Sequence, residues 1–172
     1  LGDVLELGRQ PRDAPHRRAL LALELGQHGV RRPEPAALLT EGTKTRSATQ
    51  VDTEVEQLGA TLEAGAGWDG SVLWLNVLNS RLDPALAVMA DVAQNPAYRP
   101  EDVERERALA VEGIKAAKRQ PASMANRVLP AALYGPEHPY GRIPTEASIQ
   151  SLSREQLAGW HARWFRPNNA TL

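Results

Sequence analysis

Residues 38–79 read LLTEGTKTRSATQVDTEVEQLGATLEAGAGWDGSVLWLNVLN. This stretch predicts the end of a helix, a loop, a second helix, and two strands joined by a glycine-rich turn. Gly42, in Glu41-Gly42-Thr43, follows the last periodic residue of the first helix. It can take the left-handed conformation that residues with a Cβ resist. Ser47 is a good N-cap, because its hydroxyl accepts from an amide that the helix leaves unpaired. Val51, Val55 and Leu58 then form one apolar stripe at helical spacing, and Gly59 stops the helix. Residues 61–64 alternate polar and apolar as a half-buried strand does. Residues 65–70 form a turn, and residues 71–78 are the strongest strand in the chain. Leu73, Leu75 and Val77 share one face; Val72, Trp74 and Leu78 share the other. Two apolar faces predict an inner strand of a covered sheet.

Downstream, Asp83 before Pro84 opens a helix over 81–94 with Leu82, Leu86, Met89 and Val92 or Ala93 inward. Asn95-Pro96 ends it. Pro100 opens a long helix over 101–119. Its first turn is acidic and its last basic, matching the helix dipole. Val103, Ala110, Ile114 and Ala117 are its expected inner face. Pro121 starts a further helix to about residue 134, with Met124, Val128 and Leu133 as core and a kink or break at Pro130. Residues 135–145 form a loop. Ser153 caps a helix that turns Leu157, Trp160, Trp164 and Phe165 inward. Pro167-Asn168-Asn169 turns into a last strand.

Residues 1–35 differ from the rest. They are rich in Arg, Pro and His and contain no Lys. Residues 17–27 (RRALLALELGQ) suit a helix, although Leu20, Leu21, Leu23 and Leu25 crowd any clean stripe. Divergence, a different upstream segment and a reading-frame change near residue 35 all remain open as causes of the abrupt shift.

Several separate motifs in order carry a resemblance to a known family. EGTKTRS precedes a short helix ending LGA, then a strand, DG and a second strand. RLDPALAVMADVAQNPAYRPEDVERERALAVEGIK and LYGPEHPYGRIPTEASIQSLSREQLAGWHARWFRPNNATL follow. From about Ala36 to Leu172 the chain resembles the N-terminal half-domain of the pitrilysin/insulinase zinc peptidases, which include the mitochondrial processing peptidase. The resemblance implies an α/β (α+β) sandwich: a mostly antiparallel sheet covered by helices. The domain expectation is an atypical segment over 1–35 and a half-domain over 36–172, incomplete at its end. The family's two strands before the first helix are not recognisable in 1–35, and its second homologous half is not seen.

Family peptidases carry H-x-x-E-H on the helix before the EGT-type loop. Two His on one helix face hold zinc, and the Glu between them activates water. A further Glu downstream completes the site. The resemblance puts the H-x-x-E-H positions at Pro33, Ala36 and Ala37. With Glu106-Arg107 matching the family's Glu-Arg pair, the last ligand position falls at Gly113. None of the four carries a donor. Glu112 lies one place away, but no His occurs between His28 and His138. Gly113 costs roughly 1 kcal/mol against Ala in a helix, which would fit a site of close packing. No catalytic or metal residue and no cofactor is therefore expected in this chain. Many family members pair a catalytic with a zinc-free subunit around a chamber for extended peptides. The zinc-free bacterial partner commonly has EGT-T-RS and a GWDGS-like hairpin. The expected function is a non-catalytic subunit that shapes such a chamber, with zinc in a homologous catalytic partner. The alternatives are an active zinc endopeptidase with ligands elsewhere and a structural core-type subunit.

Trp68, Asp69, His138, Tyr140 and Arg142 are candidate substrate contacts, although turn chemistry at 68–70 and a structural HPYGR loop at 138–142 account for them as well. Glu41 reads as a solvated helix end, Glu106 as an exposed helix carboxylate, and His161 as a helix-surface residue. The chain has 172 residues, a formal net charge of −1 and no cysteine. That length allows one domain with a real core. The charge supplies no global field for nucleic acid, and disulfides and thiolate zinc sites are excluded. No apolar run approaches the roughly 20 residues that span a bilayer. The compartment is open; exported relatives offer the periplasm by analogy only.

Overall fold

The structure, a computed structural model, describes residues 38–67 and 69–172 in full and the backbone of 18–26. Pro33, Ala36, Ala37, Trp68 and the helix expected before Leu38 lie outside the described residues. In chain order the elements are β1 (Arg18–Gly26), α1 (Ala48–Gln57), β2 (Thr61–Ala66), β3 (Gly70–Leu78), α2 (Leu82–Gln94), α3 (Pro100–Lys118), α4 (Pro121–Tyr134), α5 (Glu146–Gln150), α6 (Arg154–Trp164) and β4 (Ala170–Thr171). The sheet runs β2-β3-β1-β4 and is antiparallel throughout. Among the described residues no helix is long and apolar enough to cross a membrane.

Residues 18–26 form a strand, not the helix that the leucines suggest. Their register pairs Ala19, Leu21, Leu23 and Leu25 with Val77, Leu75, Leu73 and Ser71. All four partners are buried. Three of the four leucines that crowd a helical stripe, Leu21, Leu23 and Leu25, thus recur at every second position, the period of a strand; Leu20 falls opposite Asn76. A short apolar run does not reveal its period without neighbours, and here β3 and β4 supply them on both sides.

β3 is an inner strand, as its composition predicts. Leu73, Leu75 and Val77 face α2 and are at most 1 % exposed. The opposite face is not covered among the described residues: Trp74 is 41 % exposed, and Val72, Asn76 and Leu78 are half-buried. The described helices thus cover the sheet from one side. On the open side the Trp74 indole lies against Gly65, where a Cβ would come within 2.8 Å of the ring.

The 41–47 loop is the hub of the helical layer. Ser47 and Gln50 form a reciprocal capping box at the start of α1, so two amides are satisfied at once. Gly42 has φ +114°, which favours glycine. Thr43 is fully buried, and its Oγ1 accepts from the amides of Arg46 (2.9 Å) and Thr45 (3.2 Å). Residues 95–99 clasp this loop. Lys44 N donates to Asn95 O (2.9 Å), Ala97 N to Gly42 O (3.0 Å), and Arg99 Nη2 to the carbonyls of Thr43 (3.0 Å) and Arg46 (3.1 Å). Below it, the Asp91 carboxylate of α2 receives Arg46 Nη1 (2.6 Å), Thr45 Oγ1 (3.1 Å) and Asn95 Nδ2 (2.9 Å). Burial raises the Asp91 pKa, but hydrogen bonds from Thr43, Asn95, Arg46 and Thr45 outweigh it and hold the group below the usual carboxylate range.

α2 buries Ala85, Val88, Met89, Val92 and Ala93, with Leu82 and Leu86 at the edge of the core. α3 starts at Pro100, carries the expected acidic and basic ends, and buries Val103, Val111 and Ile114. α4 departs from expectation. It runs unbroken through Pro130 and buries no residue. Met124 is half-buried, whereas Val128, Leu129, Leu133 and Tyr134 are exposed. Apolar spacing identifies a stripe but not the element that covers it, and among the described residues α4 packs chiefly along α3 and the loop that follows.

α6 has the Ser153 cap, completed by Gln156. Leu157 is buried; Trp160, Trp164 and Phe165 are half-buried. His161 is not a plain surface residue. Its Nε2 lies 2.8 Å from Ala93 O, and its ring stacks on Phe165 at 4.5 Å between centroids. A carbonyl oxygen only accepts, so Nε2 carries the proton in this bond; burial pushes the His161 pKa down, and the bond to Ala93 opposes it.

Candidate functional site

Two places concentrate the residues that the sequence singles out. The first is the face of α3. Arg107 Nη2 donates to Leu152 O at 2.5 Å and its Nη1 pairs with Glu104, so this arginine ties α3 to the segment before α6. Arg105 pairs with Glu41 and, at 2.8 Å, with Asp102. Glu41 is therefore not a free helix end but a half-buried partner of α3. Burial raises its pKa, Arg105 opposes this, and the net direction is up. Glu106 is half-buried, 3.7 Å from Arg105 Nε, rather than exposed.

Glu112 is exposed and pairs with Lys115 Nζ at 2.7 Å. Gly113 beside it is exposed, and a Cβ there would meet no atom within 4 Å. Close packing does not explain this glycine. Among the described residues no three His, Cys, Asp or Glu lie together as a metal site would require.

The second place joins the β2–β3 hairpin to the loop after α4. Gly67 N donates to Gly70 O (2.7 Å) and closes the hairpin. At its tip, Asp69 accepts a hydrogen bond from the Tyr140 hydroxyl, across 71 positions of sequence. This bond raises the Tyr140 pKa. Tyr140 meets Tyr134 edge-on at 5.4 Å and His138 at 5.1 Å; Tyr134 and His138 stack at 5.4 Å. Such edge-to-face and stacked pairs are the geometries aromatic rings prefer.

The loop beneath these rings is closed. Gly135 has φ +80°. His138 N donates to Gly135 O (3.3 Å), Gly141 N to His138 O (2.9 Å), and Tyr140 N to His138 Nδ1 (3.2 Å). Gly141 is buried, and a Cβ there would overlap the Gly135 carbonyl. The structure thus brings Asp69, His138 and Tyr140 together. Arg142 lies exposed at the end of the turn, and Trp68, next to Asp69 in the chain, is outside the described residues. Sequence reading missed Tyr134; its place four residues before His138, at the end of a helix, was the available signal. The remaining feature is an edge: among the described residues the outer side of β2 has no strand paired to it.

A sheet with helices on one face, the clasped EGT loop, the hairpin and the HPYGR turn define a domain of the metallopeptidase type. The chain belongs to the insulinase family (peptidase family M16), whose model matches residues 36–142. It is 33 % identical over 132 residues to an uncharacterized zinc protease of Mycobacterium leprae, covering 76 % of this chain and 29 % of that protein. It is 28 % identical over 123 residues to the human mitochondrial-processing peptidase subunit beta, covering 70 % of this chain and 25 % of that protein. The chain thus spans under a third of the length of these relatives. Among solved structures it is similar to a peptidase M16 inactive domain from Pseudomonas fluorescens, with a TM-score of 0.79 and 25 % identity over 93 % of this chain and 41 % of that one. Pitrilysin shares the fold, with a TM-score of 0.72 and 19 % identity over 93 % of this chain and 18 % of that one.

Proposed function

We propose that this chain is the N-terminal half-domain of a zinc-free M16 subunit that shapes a peptide chamber with a homologous catalytic partner. The observation that carries the proposal is the donor set. At the positions matching the family's ligands and base stand Pro33, Ala36, Ala37 and Gly113. Methyl groups, a pyrrolidine ring and a bare Cα offer zinc no lone pair, so these residues do not fit the metal. Glu112, one place from Gly113, is engaged with Lys115. The likeness to a domain described as inactive supports the reading, as does that to a peptidase described as a subunit.

Binding needs no metal. An extended peptide adds to a sheet edge through main-chain hydrogen bonds, whatever its side chains. The outer side of β2 offers that edge, and Trp74 over Gly65 gives its open face an apolar floor beside it. In this role the chain holds the peptide extended while the partner supplies zinc and the base.

The rival reading, an active zinc endopeptidase, draws on relatives named as zinc proteases. Mixing separates them. The chain is purified alone and together with a relative that retains H-x-x-E-H, and cleavage of an unstructured peptide is followed. The expected result is co-purification, cleavage by the mixture and none by this chain alone. Cleavage by this chain alone overturns the proposal. A mixture no more active than the catalytic relative by itself favours a structural core-type subunit.

A further inference from the structure

We infer that Tyr140 is a positioning residue for peptide binding: its hydroxyl, held on the rigid loop after α4, pins the β2–β3 hairpin tip through Asp69 and so fixes the outer edge of β2. The inference rests on the proposed peptide-binding role of that edge. The hairpin tip is also closed by its own turn, Gly67 N to Gly70 O. Edge strands have one ladder instead of two, so they fray more easily than inner strands. β2 is paired with β3 alone among the described residues.

The anchor on the other side does not share that freedom. The Gly135 carbonyl packs so closely on Gly141 that a side chain at Gly141 has no room, and Gly135 itself has φ +80°, which favours glycine. The His138 carbonyl and ring take up the amides of Gly141 and Tyr140. Tyr134 and His138 flank the Tyr140 ring and restrict its rotation. The phenol is therefore presented in a fixed direction, and Asp69 at the tip meets it. A peptide adding to β2 must find the edge already extended. A tip that swings loose takes that preorganisation away, and the ordering cost falls on binding instead.

The test uses the whole chain and three variants: Tyr140→Phe, which removes only the hydroxyl, Asp69→Ala, and the two combined. Asp69→Asn keeps an acceptor oxygen and serves as the conservative rescue. Affinity is read by anisotropy of a fluorescein-labelled extended peptide, and tip order by amide hydrogen exchange over residues 65–70. One exposed hydrogen bond corresponds to about a 2- to 5-fold loss of affinity, with exchange faster by a similar factor. The double variant should lose no more than the larger single loss, because both changes break one bond. Asp69→Asn should stay near the parent. Unchanged exchange in Tyr140→Phe overturns the inference, since the tip is then held without this bond. Faster exchange with unchanged affinity overturns it too, because the tip then does not serve the edge. A parent that binds no peptide removes the proposed function and this inference with it. The exchange data then still show whether the bond holds the tip, so the two failures are told apart.

Discussion

Gly141→Ala destabilises the domain by about 3 kcal/mol, at the upper end of what overpacking costs. The added methyl overlaps the carbonyl oxygen of Gly135 and lies 2.7 Å from its carbonyl carbon. Both are backbone atoms, so no rotamer change relieves the clash. Gly135 is itself fixed by φ +80° and by the bond from its amide to Ala131 O at the end of α4. The loop must open, and the Gly141–His138 and Tyr140–His138 bonds go with it. Urea unfolding followed by circular dichroism reads the loss directly. Gly113→Ala is the matched contrast. That glycine sits mid-helix in open space, so alanine should add up to about 1 kcal/mol of stability. A loss below about 1 kcal/mol for Gly141→Ala would show that the loop yields and is not the rigid anchor described.

Asp91→Ala removes the acceptor under the EGT loop, at a cost of about 2–3 kcal/mol. Three donors lose their partner at once: Arg46, Thr45 and Asn95. The Asp91 side chain is only 12 % exposed, so water compensates little. Arg46 retains Glu54 at 3.0 Å, which keeps the loss below that of a fully orphaned charge. The effect also has a pH signature. The folded carboxylate is held below its ordinary value of 3.8. Its contribution is therefore complete above that ordinary value and is lost as pH falls through the lower folded value. The stability gap between parent and Asp91→Ala should be widest near neutrality and close in strong acid. A gap that stays constant down to the acid-unfolding limit would contradict the assignment.

Much of this architecture is local and so was legible. Ser47 with Gln50, Pro100 with its acidic turn, Ser153 with Gln156 and the glycine at 59 each carry their reason within a few residues. β3 announced itself by two apolar parities. What failed was set by partners distant in sequence. The period of 18–26 emerges only beside β3 and β4. α4 has the right spacing for a buried stripe, but spacing does not say what lies opposite. His161 reads as surface in the sequence because its carbonyl partner, Ala93, sits 68 positions away; the aromatic Phe165 at i+4 is the local hint. The Tyr140–Asp69 bond has no signature within either segment. For the metal positions, only the order of family motifs sets the proposed register, and no described contact tests it.

The central claim is that the chain holds no zinc of its own. Purification from zinc-supplemented culture, exhaustive dialysis and metal counting by plasma mass spectrometry address it directly. The account predicts no zinc retained above the level of a non-metalloprotein prepared alongside. One zinc per chain that survives dialysis and disappears in Glu112→Ala would contradict it.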